Sequence, residues 1–123
     1  MASPNPGKSD TAIISEVRQM YSSPLMSQIR EAHSKGKPIT VKMGSYTIQY
    51  EPLQFSGMTA FPTGFVIGKE AFASEDELKK TLLHEMYRLC HSEIGKGGDA
   101  HRTNISAETN AAFQFAERSH HLV

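Results

Sequence analysis

Tryptophan is absent and cysteine occurs once among these 123 residues. A lone Cys90 cannot close an internal disulfide, and it excludes zinc sites built from several cysteines. No apolar run approaches the ~20 residues that cross a bilayer, so the chain carries no membrane-spanning segment. An excess of either charge is also missing, with 13 Lys and Arg against 13 Asp and Glu. That balance removes any general attraction to polyanions, and it differs from the basic domains usual among nucleic-acid binders. Internal repeats are missing too. What remains is ordinary for a globular domain: 38% hydrophobic and 21% charged residues in a length that builds one core without staples. The stretch from Met1 to Ser9, with Pro4, Pro6 and Gly7, lacks the hydrophobic core of a secretory signal. It reads as a flexible leader ahead of a single domain over 10–123, as if that domain were cut from a longer chain.

Apolar spacing organises the first half. Ile13, Ile14, Val17, Met20 and Tyr21 repeat at helical intervals behind Asp10, a suitable cap. Ser23-Pro24 restarts a helix whose buried face is Leu25, Met26, Ile29 and Ala32, and Gly36 stops it. Ile39, Val41 and Met43 then alternate with polar residues, as do Tyr46, Ile48 and Tyr50, with Gly44-Ser45 between the runs. This is the pattern of a hairpin with a two-residue turn. The segment from Glu51 to Thr63, with its prolines, reads as a long loop or irregular edge, and Phe65-Val66-Ile67 as a short buried strand closed by Gly68.

A capping box, Ser74-Glu75-Asp76-Glu77, opens a helix expected to run to about Ile94, where Gly95 to Gly98 end it. A last helix is expected from Thr103 or Asn104 to about Ser119. Two helices, a small antiparallel sheet with a hairpin, and two C-terminal helices make an α+β domain.

The chemistry concentrates in the third helix. His84-Glu85-Met86-Tyr87-Arg88 is H-E-x-x-H with its second histidine replaced. The intact motif sets two imidazoles one turn apart around zinc, with the glutamate as base. Arginine neither binds a cation nor gives up its proton. On a helical wheel Leu78, Leu82, Leu83, Met86, Leu89, Cys90 and Ile94 form the core face. Lys80, His84, Arg88 and His91 share the opposite side, Thr81 adjoins them, and Glu85 sits at the apolar margin nearest Arg88. A stripe of basic groups repels itself unless something anionic meets it; an ordinary solvated polar face is the bland alternative.

On the last helix Ile105, Ala107, Ala111, Ala112, Phe115 and Ala116 form the core-facing side, with Glu108 in their midst. A carboxylate there needs a buried partner. Arg88, His84 or a metal would serve, and a Glu108–Arg88 pair is either structural or part of the site. His33, His101, His120 and His121 have no companions at informative spacing and read as surface residues. Tyr46, Tyr50 and Tyr87 are packing residues first and base-stacking surfaces second.

Two resemblances follow from these residues. His84-Glu85, a glycine-rich break and then Ala107-Glu108-Thr109-Asn110-Ala111-Ala112-Phe113 resemble small zinc peptidases of the gluzincin type. That likeness implies His84 and Glu108 as ligands and Glu85 as base. Arg88 breaks it, and His91 cannot stand in, since ~10 Å of helical rise separates it from His84. The second likeness covers about half the chain. Gly64-Phe65-Val66-Ile67-Gly68, Ala71-Phe72-Ala73-Ser74, Leu82 to Leu89 and Glu108 to Glu117 resemble C-terminal tips of bacterial polymorphic toxins, of the contact-dependent growth inhibition and Rhs groups. This resemblance implies a toxin domain carried on a larger secreted or surface protein, acting in the cytoplasm of a target bacterium and blocked by a cognate immunity protein. Many such tips are ribonucleases, often directed at tRNA.

A ribonuclease that works without metal needs a base, an acid and a cation for the phosphorane. His84, Glu85, Arg88 and Glu108 supply these as catalytic candidates: His84 as acid or base, Arg88 as phosphate clamp, and Glu85 or Glu108 as complementary base or as orienter of His84. His91, Lys80 and Thr81 are candidate substrate contacts. The expectation is a monomeric, cofactor-free ribonuclease with RNA as substrate. Its rivals are a metallopeptidase-like toxin with a modified zinc site and a non-catalytic binding domain.

Overall fold

The computed structural model describes residues 9–60, 63–91 and 102–123, with side chains at all of these except 60, 91 and 102–109. The first two helices form as their caps dictate. In α1 (Asp10–Tyr21) the cap is Ser9 and not Asp10: the Ser9 hydroxyl accepts from the Ala12 N–H, and Asp10 is the first helical residue, where its charge suits the helix N-terminus. In α2 (Pro24–Lys35) Ser23 caps Leu25, Pro24 occupies the first turn, and Gly36 closes the helix at a left-handed φ of 66°. The strands are β1 (Ile39–Met43), β2 (Tyr46–Tyr50), β3 (Gly57–Ala60) and β4 (Gly64–Ile67). A short 3₁₀ turn, Lys69–Phe72, leads into α3 (Glu75–His91), where Ser74 Oγ accepts from the Glu77 N–H at 3.0 Å. The last long helix is α4 (Arg102–Ser119). The expected end of the third helix, from Ser92 to Ile94, and the glycine run after it lie outside the described residues. No helix among the described residues is long and apolar enough to cross a membrane.

The domain is α+β, but its sheet is mixed rather than antiparallel. Strand order is β1-β2-β4-β3, with β1–β2 and β3–β4 antiparallel and β2–β4 parallel. The difference comes from the segment expected as a long loop or irregular edge, which forms an edge strand. After β2 the chain crosses to the far side, forms β3 as the outer strand, and returns to place β4 between β3 and β2. Four residues, Gly-Met-Thr-Ala, have no strand pattern of their own; ladder bonds to β4 hold them.

The close parallel pairing depends on Gly64. A Cβ there would stand 2.2 Å from the Thr47 carbonyl oxygen, which is backbone and cannot swing aside. Gly64→Ala is therefore expected to destabilise the domain by about 2–3 kcal/mol. Urea denaturation should show a lower midpoint at unchanged slope.

Helix α3 is the centre of the fold. Leu78, Leu82, Leu83, Met86, Leu89 and Cys90 are buried on it, as the wheel predicts. They join Ile13, Val17, Met26 and Ile29 from α1 and α2, Ile48, Tyr50, Phe65 and Ile67 from the sheet, and Phe115 and Ala116 from α4 in one core. Because α1, α4, β3 and β4 all pack on α3, more of its circumference is covered than its apolar stripe alone requires. At its N-terminus Glu75 accepts from Arg30 at 2.8 and 3.0 Å and from the Tyr21 hydroxyl, joining α3 to both preceding helices.

Candidate functional site

The covered circumference of α3 includes two polar residues. Thr81 is 5% exposed and Glu85 only 2%, so Glu85 lies inside the core boundary and not at its margin. The sheet brings this about: β3 lies along that flank of α3, and the Thr59 hydroxyl donates to Glu85 Oε1 at 2.9 Å. Gly57, two residues earlier on β3, approaches so closely that a Cβ there would sit 3.0 Å from both Glu85 Oε2 and Thr81 Cγ2.

Beside this contact a cavity of about 170 Å³ opens between β3 and α4, with α3 as its floor. Ser56 and Gly57 form one wall, Phe113, Ala116 and Glu117 the other, and Glu77, Lys80, Thr81, His84 and Glu85 the base. Of the residues singled out in the sequence, Lys80, Thr81, His84 and Glu85 thus converge on one groove. Arg88 stands one turn further along α3, half-buried, and its Nε has no hydrogen-bond partner among the described residues. The side chains of His91 and Glu108 lie outside the described residues, and so does the anticipated Glu108–Arg88 pair.

Burial governs the protonation of the two central groups. It pushes the Glu85 carboxyl up to about 7, against the opposing pull of the Thr59 hydrogen bond and of the Arg88 charge. Burial also weakens His84 as a base, and the nearby Arg88 lowers it further. The helix therefore presents adjacent acid and base groups whose proton affinities have shifted in opposite directions, the carboxyl upward and the imidazole downward.

Other charges in the groove are partly matched within the protein. Lys80 Nζ lies 3.4 Å from Glu117 and 4.0 Å from Glu77, so carboxylates relieve the basic stripe at this end. Phe113 is 58% exposed at the rim and meets the His84 ring edge-on, with centroids 6.4 Å apart. Sequence reasoning gave no site role to Gly57, Thr59, Glu77, Phe113 or Glu117. Thr59 carried no local signal, because its importance arises only when β3 docks on α3. Phe113 did carry one: it lies off the Ala112–Phe115–Ala116 face of α4, where a large apolar side chain is left exposed.

The remaining histidines and tyrosines are placed differently from the groove. His33 is not a bare surface residue; it is half-buried, stacked on Phe72 at 4.3 Å and 3.0 Å from the Tyr50 hydroxyl. Tyr46 and Tyr50 are buried in the core, and Tyr87 packs on Phe115 at 4.9 Å. Compared with known protein families, with curated proteins and with solved structures, the chain finds no match.

Proposed function

We propose that this chain is the ribonuclease tip of a bacterial polymorphic toxin, cleaving RNA without a metal and neutralised by a cognate immunity protein. The observation that carries the proposal is the groove floor. A buried carboxyl titrating at about 7 and a weakened imidazole stand side by side there, both under the charge of Arg88. A carboxyl with a proton affinity close to neutrality suits acid–base catalysis. In this reading Glu85 takes the proton of a ribose 2′-hydroxyl as its oxygen bonds to phosphorus. His84, as imidazolium, gives a proton to the departing 5′-oxygen, leaving a 2′,3′-cyclic phosphate. Arg88 favours the extra negative charge of the phosphorane. Phe113 offers an exposed aromatic surface for an unstacked base. Delivery on a larger protein and action in the cytoplasm of the target bacterium belong to the same proposal, as does tRNA as substrate.

Electrophoresis of total RNA after induction of the domain in bacteria tests it. Loss of discrete RNA species supports the reading, and intact RNA in poisoned cells overturns it. Removing the Arg88 charge, as in Arg88→Gln, should move the titrations of both Glu85 and His84 upward, because that charge lowers both. The pH profile of cleavage should shift to the alkaline side and the rate should fall.

A second reading, a peptide-cleaving toxin, is favoured by the setting of the groove. Its wall is the outer strand of the sheet, which has no further strand partner among the described residues, and an extended peptide adds readily to such an edge. The donor set fits zinc poorly, because Arg88 occupies the position of the second ligand and leaves His84 and Glu108 short of the three that a catalytic ion needs. Stoichiometric zinc in protein lacking His120 and His121, lost on His84→Ala, would decide for this reading.

A further inference from the structure

We propose that Thr59, on the outer strand β3, is the positioning residue of the groove. It fixes Glu85 Oε1 and so leaves Oε2 as the oxygen that meets substrate. The proposal rests on the reading of Glu85 as the proton-transfer group of the site. Its warrant is geometric. Thr59 supplies the one hydrogen bond that the described residues give this carboxyl, at 2.9 Å and to Oε1 alone. Oε2 has no hydrogen-bond partner among the described residues, and the carboxyl borders the groove. The absence of a side chain at Gly57 keeps that oxygen clear, since a Cβ would come within 3.0 Å of it.

The two oxygens of one carboxyl are thereby given separate tasks. A threonine hydroxyl donates to one and stabilises the ionised form. The other is free to accept or deliver a proton. No titratable side chain on β3 disturbs this division, because the strand reads Gly57-Met58-Thr59-Ala60. The charges around the carboxyl come from α3, as Glu77, Lys80, His84 and Arg88, and from α4, as Glu117.

The test is a carbon-13 NMR titration of the Glu85 carboxyl in the wild-type protein and in Thr59→Val and Thr59→Ser, with cleavage–pH profiles recorded in parallel. Loss of the hydroxyl should raise the Glu85 midpoint by roughly one unit, while the serine variant keeps the wild-type value. The cleavage profile should shift to the alkaline side with the midpoint. An unchanged midpoint in Thr59→Val overturns the proposal, as does a serine variant that behaves like valine. If valine is not accommodated at the site, Thr59→Ala removes the same hydroxyl with less bulk and reads out the same way. A shifted midpoint in a protein that cleaves no RNA would retain the positioning role and reject the nuclease reading, so the two failures are distinct.

Discussion

Glu85→Gln should melt roughly 10 °C above the wild-type protein at pH 8 and show little difference at pH 4. The side chain is 2% exposed, and its carboxyl titrates at about 7 in the folded chain against 4.5 as the ordinary value. The folded state therefore holds this proton more tightly than the unfolded state does. Its contribution to stability is complete below pH 4.5 and is lost as pH rises to and through about 7. The full loss corresponds to about 3 kcal/mol. Glutamine keeps an oxygen for the Thr59 hydroxyl and never ionises, so the variant escapes the loss. His84 adds a slope of the opposite sign. Its folded proton affinity is depressed, so its contribution is present above the usual histidine range and fades as pH falls. That slope is common to both proteins and cancels in the comparison. Thermal melts of the pair across pH 4 to 8 check the sign, and a constant gap between the curves would contradict it.

The same substitution should be costly for activity. If Glu85 and His84 exchange protons with substrate, Glu85→Gln and His84→Ala should each lower RNA cleavage by about 10²- to 10⁴-fold. The double variant should lose little more than either single one, because groups that act as a unit are strongly non-additive. Both folds should survive, with Glu85→Gln the more stable of the two at neutral pH. A protein made more stable by a change that removes its activity is the behaviour of a functional site kept at the expense of the fold. Single-turnover cleavage of a bacterial tRNA preparation measures the effect. Cleavage within a few-fold of wild type in either variant would remove that residue from the chemistry.

How much of this was legible beforehand varied with the range of the interaction. Helix boundaries rest on neighbours in sequence, such as Ser23, Gly36 and Ser74, and these are read directly, whereas the first cap falls on Ser9, one residue before the expected Asp10. The buried face of α3 from Leu78 to Cys90 follows from periodicity, and so does the hairpin around Gly44, whose φ of 62° suits glycine. The third strand was not legible. Its four residues lie between Pro52 and Pro62, show no alternation of their own, and are strand only because β4 pairs with them. The candidate site was half legible for the same reason. His84, Lys80 and Thr81 follow from the wheel. The depth of Glu85 depends on what packs against that flank, and the wheel of one helix cannot show its neighbours. The expected anion for the basic stripe also had a mundane component, since Glu117 from α4 reaches Lys80 at 3.4 Å.

The outer position of β3 has a consequence for assembly. In an unfolded chain Glu85 is an ordinary carboxylate, fully ionised at neutral pH. Its unusual proton affinity exists only after a strand some 26 residues away has closed on its helix, a contact of high sequence separation and hence a slow one to make. The reactive groove is thus a late product of folding, and a chain that has not finished that step carries the residues of the site without its chemistry.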